Sequence, residues 1–177
     1  MQLSVTRFND FLRVYVEVHM IRTLLLILGC ISFIIVIGGA TYEHAAVVPV
    51  WSSAAPASLH MFQGEYGLAA PNFWIPVHPI TMLLLLAGLI ANWRTDRRNY
   101  VLVAILGYAA VLGMTFLYFV PELMSIIQSS YSATTDAELT RRALTWQTLS
   151  LVRLGFLIVL AITLLFGLSK SADSRLK

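Results

Sequence analysis

Four runs of apolar residues, each long enough to cross a lipid bilayer, constrain this chain more than any other feature. They fall at about 23–42, with LLLILGCISFIIVIGGA at the heart of the first, and at 77–93, 100–120 and 149–169. Each holds roughly 17–22 residues, close to the ~20 that span ~30 Å of hydrocarbon at ~1.5 Å per residue. Four spans and their connections use nearly all of the 177 residues, so one transmembrane domain over 1–177 is expected. Only 12% of residues are charged and the mean hydropathy is +0.78. A soluble domain carries about twice that share of charge, so the expected fold is an all-α, integral membrane four-helix bundle.

The charges that remain set an orientation. Arg7, Arg13 and Arg22 precede the first span, Arg94, Arg97 and Arg98 lie in the turn between spans two and three, and Lys170, Arg175 and Lys177 follow the last. Nine of the twelve basic residues therefore share one side; the opposite connections hold only Arg141 and Arg142, with Arg153 just inside span four. Positive-inside bias puts both termini in the cytoplasm, in a multi-pass protein of the cell (inner) membrane. The net charge of +3 does not point to nucleic acid, because the basic residues sit at span ends and form no aromatic-interleaved patch. Gly38-Gly39-Ala40 resembles a cleavage site, yet the run before it is span-length, so an uncleaved first helix is expected. Residues 4–20, with Phe8, Phe11, Leu12, Tyr15 and Val16, read as an amphipathic stretch along the inner interface.

The outer connections are richer. Residues 45–76 contain Pro49, Pro56, Pro71 and Pro76, with Pro79 just beyond, and Trp51, Phe62, Tyr66, Phe73 and Trp74. This density predicts an ordered aromatic cap at headgroup level, with Pro76 or Pro79 opening the second span. Past the third span, Leu123, Met124, Ile126 and Ile127 keep an apolar rhythm, and Thr135 with Glu138 forms a capping-box pattern. Helices three and four are thus expected to project beyond the membrane as a hairpin.

Each helix also carries a polar face. His78, Thr81, Leu85, Gly88 and Asn92 recur at helical steps on the second, Tyr108, Thr115, Tyr118 and Glu122 on the third, Arg142, Trp146, Ser150 and Arg153 on the fourth, and Ser32, Gly39 and Glu43 on the first. In lipid such a stripe faces the bundle interior. Counted from the inner charges, His78 lies ~24 Å up, Arg153 ~25 Å, Glu43 ~31 Å and Glu122 ~36 Å, at ~1.5 Å per residue. Arg153 cannot shed its proton, so a carboxylate partner is expected in Glu43 or Glu122. The bland alternatives are a snorkelling Arg153, a helix-stapling ion pair, a His78 bonded to a carbonyl, and Trp51, Trp74 and Trp146 as interfacial belt anchors.

No side-chain spacing places two metal ligands on one helix face, so a metal at His44, His60 or His78 is drawable but not indicated. Cys30 is the only cysteine, which excludes an intrachain disulfide or a Cys-based metal centre. There is no lysine in the spans for a Schiff base, no phosphate loop, no nucleophile–base motif and no inverted repeat of transporter type.

Three short segments resemble a family of small four-helix membrane proteins that includes the fungal anthrone oxygenases. They are Tyr42-Glu43-His44 through Pro49 and Trp51, Thr115-Phe116 leading to Val120-Pro121, and Trp146 with Arg153 seven residues on. Where that family commonly has Asn soon after the span-three proline, this chain has Glu122. The resemblance implies oxygenation of an activated phenolic or anthrone-like carbon without a bound metal or flavin. That chemistry needs a base, a cation for the anion formed, and a dry aromatic pocket. His78 or Glu43 would serve as base and Arg153 as the cation, with Glu122 nearby and Trp146, Tyr118, Thr115, Trp74 and Trp51 around the pocket. Two other classes fit the same residues: an accessory subunit docked onto a larger membrane complex, and a binder of a small apolar molecule such as a quinone or lipid.

Overall fold

The computed structural model describes residues 2–173; within them the side chains of 2–6, 8, 9, 11 and 12 lie outside the description, as do the expectations for Phe8, Phe11 and Leu12. Arg175 and Lys177 also fall outside it. The described chain is all-helical. It runs α1 (Gln2–Tyr42), a π-helical turn (Glu43–Val47), α2 (Val48–Ser52), a 3-10 segment (Ala57–Phe62), α3 (Pro71–Ala91), α4 (Arg98–Met114), a second π turn (Thr115–Phe119), α5 (Val120–Ile127) and α6 (Ala137–Leu168). Four of these stretches are long and apolar enough to cross a membrane: Arg13–Ser52, Pro71–Ala91, Arg98–Ile127 and Ala137–Leu168. Only 22–33% of the residues in each apolar window are buried, so most of each span's surface is left for lipid.

Contacts close a ring, in which α1 packs on α3 and α6, and α4 packs on α6 and α3. Lipid tails are as apolar as the helices, so association here relies on close packing rather than on expelling water. Small residues allow it: a Cβ on Gly88 would lie 3.7 Å from the Leu26 Cα, bringing the backbones of α1 and α3 together. The buried residues form two clusters. One holds Leu26, Phe33, Leu85, Val101, Tyr108 and Leu164; the other, at the opposite end, holds Val48, Trp51, Leu59, Phe119, Ile126 and Trp146.

Three local expectations are corrected. Residues 4–20 do not form a separate interfacial element, because nothing interrupts α1 between Gln2 and Tyr42. The second span opens at Pro71, which takes the position where a missing N–H costs nothing, and Pro76 and Pro79 fall inside the helix. The N-cap of α6 is Asp136 rather than Thr135: its extended backbone lets the carboxylate accept from the Leu139 N–H at 2.8 Å, while Glu138 turns outward to Arg141. Asp136 and Thr140 also donate to the Ala55 carbonyl, at 2.8 and 3.2 Å, fixing residues 48–62 to α6.

The two π turns share a cause. Each is followed by Val-Pro, at Val48-Pro49 and Val120-Pro121, and each closes with the Val N–H donating five residues back, to Glu43 and to Thr115. A proline ring collides with the carbonyl four residues earlier in a regular helix. A widened turn relieves that clash and shifts the helix faces beyond it.

At the other end α1 meets the segment that follows α6. Tyr15 donates to Asp173, His19 Nε2 lies 3.3 Å from the same carboxylate, and Arg22 donates to the Ala172 carbonyl. Hydrogen bonds from Tyr15 and Ser171 hold the Asp173 carboxyl below the ordinary carboxylate range. Any stability this tie adds is present at neutral pH and is lost as pH falls through that lowered value. Arg97, only 6% exposed, closes this end. It donates to the Lys170 carbonyl at 2.8 Å and to Thr23 at 2.9 Å, linking the α3–α4 turn to the end of α6 and to α1. Asn92 donates to the Arg22 and Gly88 carbonyls beside it. Arg97→Ala is expected to destabilise the bundle by about 2–3 kcal/mol, and Arg97→Lys to recover only part of it, since a single ammonium cannot bridge both acceptors. The thiol of Cys30, 4% exposed in α1, reports the loss as earlier labelling by a maleimide on heating.

Candidate functional site

Between the two apolar clusters lies a polar layer organised around Arg153 of α6. Its guanidinium donates to Thr115 Oγ1 at 3.0 Å and to Ser150 Oγ at 2.9 Å, and its Cζ sits 4.2 Å over the Phe119 ring. Among the described residues no carboxylate closes to within 4 Å of it. The opposite charge acting on it is Glu43, through space. Thr115 and Glu43 are the first residues of the two π turns; Thr115 bonds the guanidinium and Glu43 acts on it through space.

A second set of groups extends from Glu43 into α3 and α4. The Trp74 indole N–H donates to Glu43 Oε1 at 2.8 Å, and its ring stacks on His78 with centroids 5.3 Å apart and planes at 22°. His78 Nδ1 lies 2.7 Å from the Tyr108 hydroxyl, and Ser32 and Thr81 share a hydrogen bond at 2.7 Å just below. His78 also feels the Arg153 charge. Close approach at Gly39 makes room for this, since a Cβ there would lie 2.6 Å from the Phe73 ring beside Trp74.

The expected residues therefore divide. Glu43, His78, Arg153, Thr115 and Trp74 come together. Glu122 does not join them: Arg142, one turn nearer its level, takes it in a bidentate pair with both distances 2.8 Å, and Ser125 adds to that guanidinium. Tyr118 stands beside this pair, 40% exposed, rather than facing His78. Trp51 and Trp146 pack edge to face in the apolar cluster above, where the Trp146 N–H donates to the Phe119 carbonyl at 2.9 Å. They support Phe119 under Arg153 rather than line an opening.

The three candidate metal histidines sit on separate elements, His44 in the first π turn, His60 in the 3-10 segment and His78 in α3. Among the described residues no three His, Cys, Asp or Glu side chains converge as a metal-binding group. His44 Nδ1 lies 2.9 Å from the Ala40 carbonyl of its own helix, and its Nε2 is buried without a partner. Tyr108, packed at the boundary of the lower cluster, was not among the expected site residues; its helical phase with Thr115 and Glu122 was the only signal for it. No family model matches the chain, and no curated protein or solved structure is significantly similar to it.

The Tyr108–His78 hydrogen bond engages Nδ1 of His78 and couples the protonation of that nitrogen to the Tyr108 hydroxyl. Tyr108→Phe is expected to cost about 1 kcal/mol and to change the His78 ring ¹⁵N shifts in NMR spectra of the folded protein. Unchanged shifts would show that no such coupling exists.

Proposed function

We propose that this chain binds an ionisable aromatic molecule taken from the lipid phase and stabilises its anion at Arg153. The observation that carries the reading is a half-buried guanidinium, in a membrane-spanning helix, held by two neutral hydroxyls and an aromatic face instead of a closed ion pair. Such a cation keeps attraction to spare for a phenolate or enolate oxygen. The resemblance to the anthrone oxygenases extends this to turnover. A base removes a proton from the phenol or activated carbon, Arg153 holds the resulting anion, and dioxygen supplies the oxidant. For His78 to be that base, its Nδ1 must donate to Tyr108, leaving the Nε2 lone pair for the substrate. Glu43, anchored by Trp74, is the second candidate base.

The protein is read as a multi-pass component of the cell (inner) membrane with its basic face cytoplasmic. In detergent-solubilised protein, Arg153→Gln is expected to weaken binding of a simple naphthol or anthrone probe about tenfold, titrated by probe fluorescence. Arg153→Met should leave thermal stability unchanged or raise it, because a well-packed apolar side chain does not carry the cost of a buried charge. If Arg153→Met instead unfolds the protein while probe binding never appears in the wild type, the guanidinium is a helix staple. Oxygen consumption with a bound probe separates an oxygenase from a binder. Orientation is checked by single-cysteine variants at position 65 or 170 in a Cys30→Ser background: in intact cells an impermeant maleimide should label only the former.

A further inference from the structure

We propose that the outer half of α6 carries a binding groove for one phospholipid with a zwitterionic, primary-ammonium headgroup of the ethanolamine type. This site is separate from Arg153 and does not rest on the reading above. Two adjoining depressions, of about 180 and 320 Å³, share Arg141 and Thr145. The smaller adds Tyr118, Glu122 and Arg142; the larger adds Leu144, Thr148 and Leu149. On α6 the lining residues 141, 144, 145, 148 and 149 recur at three- and four-residue steps, so they form one continuous face. That face sets Arg141 and two threonine hydroxyls among Leu144 and Leu149, and it runs on into the apolar surface below, so it offers polar groups for a headgroup above apolar surface for chains.

Its height matches. Counted from Lys170 at ~1.5 Å per residue, Leu149 lies ~31 Å and Arg141 ~43 Å across. The hydrocarbon is ~30 Å thick and the bilayer with headgroups ~40–45 Å. The groove therefore spans the outer headgroup layer. Below it, Val152, Phe156 and Val159 continue an exposed apolar surface for acyl chains, with Gly155 leaving open space beside them.

The headgroup chemistry follows from how the charges are paired. Arg141 is forked onto Glu138 and Arg142 onto Glu122, so two cations and two carboxylates cancel. Each guanidinium uses Nε and Nη2 in its fork, which leaves the Nη1 hydrogens for a phosphate. Thr145 and Thr148 donate their hydroxyl protons to the Arg141 and Leu144 carbonyls, so their oxygens offer only lone pairs to the groove. Lone pairs and carboxylates suit an ammonium with N–H donors; a quaternary choline has none, and a glycerol headgroup brings uncompensated negative charge.

The test is native mass spectrometry of the full chain released from nanodiscs containing equal parts ethanolamine, choline and glycerol phospholipids. One retained ethanolamine phospholipid is expected, with its occupancy reduced about tenfold in Arg141→Ala. Thr148→Trp, which fills the groove without changing charge, should do the same, and delayed maleimide labelling of Cys30 confirms that both variants are folded. Equal retention of all three lipids, preference for the glycerol lipid, or retention unaffected by both variants in folded protein would each overturn the proposal.

Discussion

A guanidinium keeps its proton wherever the chain carries it, and in α6 it is carried to the middle of a helix that otherwise belongs to lipid. The arrangement of the layer around it follows from that requirement. Two hydroxyls and the face of Phe119 replace the water Arg153 has lost, and Trp51 and Trp146 hold Phe119 in place from above. The polar layer separates two apolar clusters because a charge of this kind cannot be buried in either. Glu43 approaches without closing. Its one assigned donor is Trp74, so the carboxylate is oriented by an indole on a neighbouring helix and acts on Arg153 through space.

Arg97 meets the same requirement differently. It is more deeply buried than Arg153, and its donors go to a backbone carbonyl and a threonine hydroxyl that belong to other elements. Burial works against its charge, and these bonds offset the loss. One arginine thus gathers the ends of three helices, where α1 also meets Asp173. This end is tied by bonds to both backbone and side chains with a closed set of partners, whereas the layer at Arg153 is held around an incompletely paired charge.

How much of this was legible in the sequence depends on the length scale. Helix number, span positions and the common face of both termini follow from apolar runs and from where the basic residues cluster, because the bilayer imposes both. The polar stripes put Glu43, His78 and Arg153 at similar height, but shared height does not specify a contact, and Glu43 bonds Trp74 rather than Arg153. Of the two carboxylates offered to Arg153, Glu122 pairs with Arg142 instead, as the same count allows. Glu122 lies ~36 Å above Arg98, Arg142 ~42 Å above Lys170 and Arg153 only ~25 Å, so the nearer arginine was the better match. Arg97 was read as a topogenic charge like its neighbours, because nothing in a tract of basic residues distinguishes the one that turns inward. Asp136 took the cap from Thr135 since only the structure shows which backbone is extended at the helix start.

The two π turns show most clearly what a residue count omits. Both precede Val-Pro near the end of a span, and a fixed rise per residue treats them as ordinary helix. In each, the widened turn relieves the clash of the proline ring and moves every residue beyond it around the helix axis, whereas Pro76 and Pro79 sit within the regular helix α3. The first residues of the two turns are Glu43 and Thr115, the two groups from α1 and α4 that act on Arg153. Glu43 and Thr115 thus stand where the regular helix ends, and the second turn carries Phe119, its last residue, beneath the guanidinium. The layer is assembled from the two ends of a widened turn on one helix, the start of another, and Arg153 of α6, whose guanidinium is held by hydroxyls and an aromatic face rather than by a closed ion pair among the described residues.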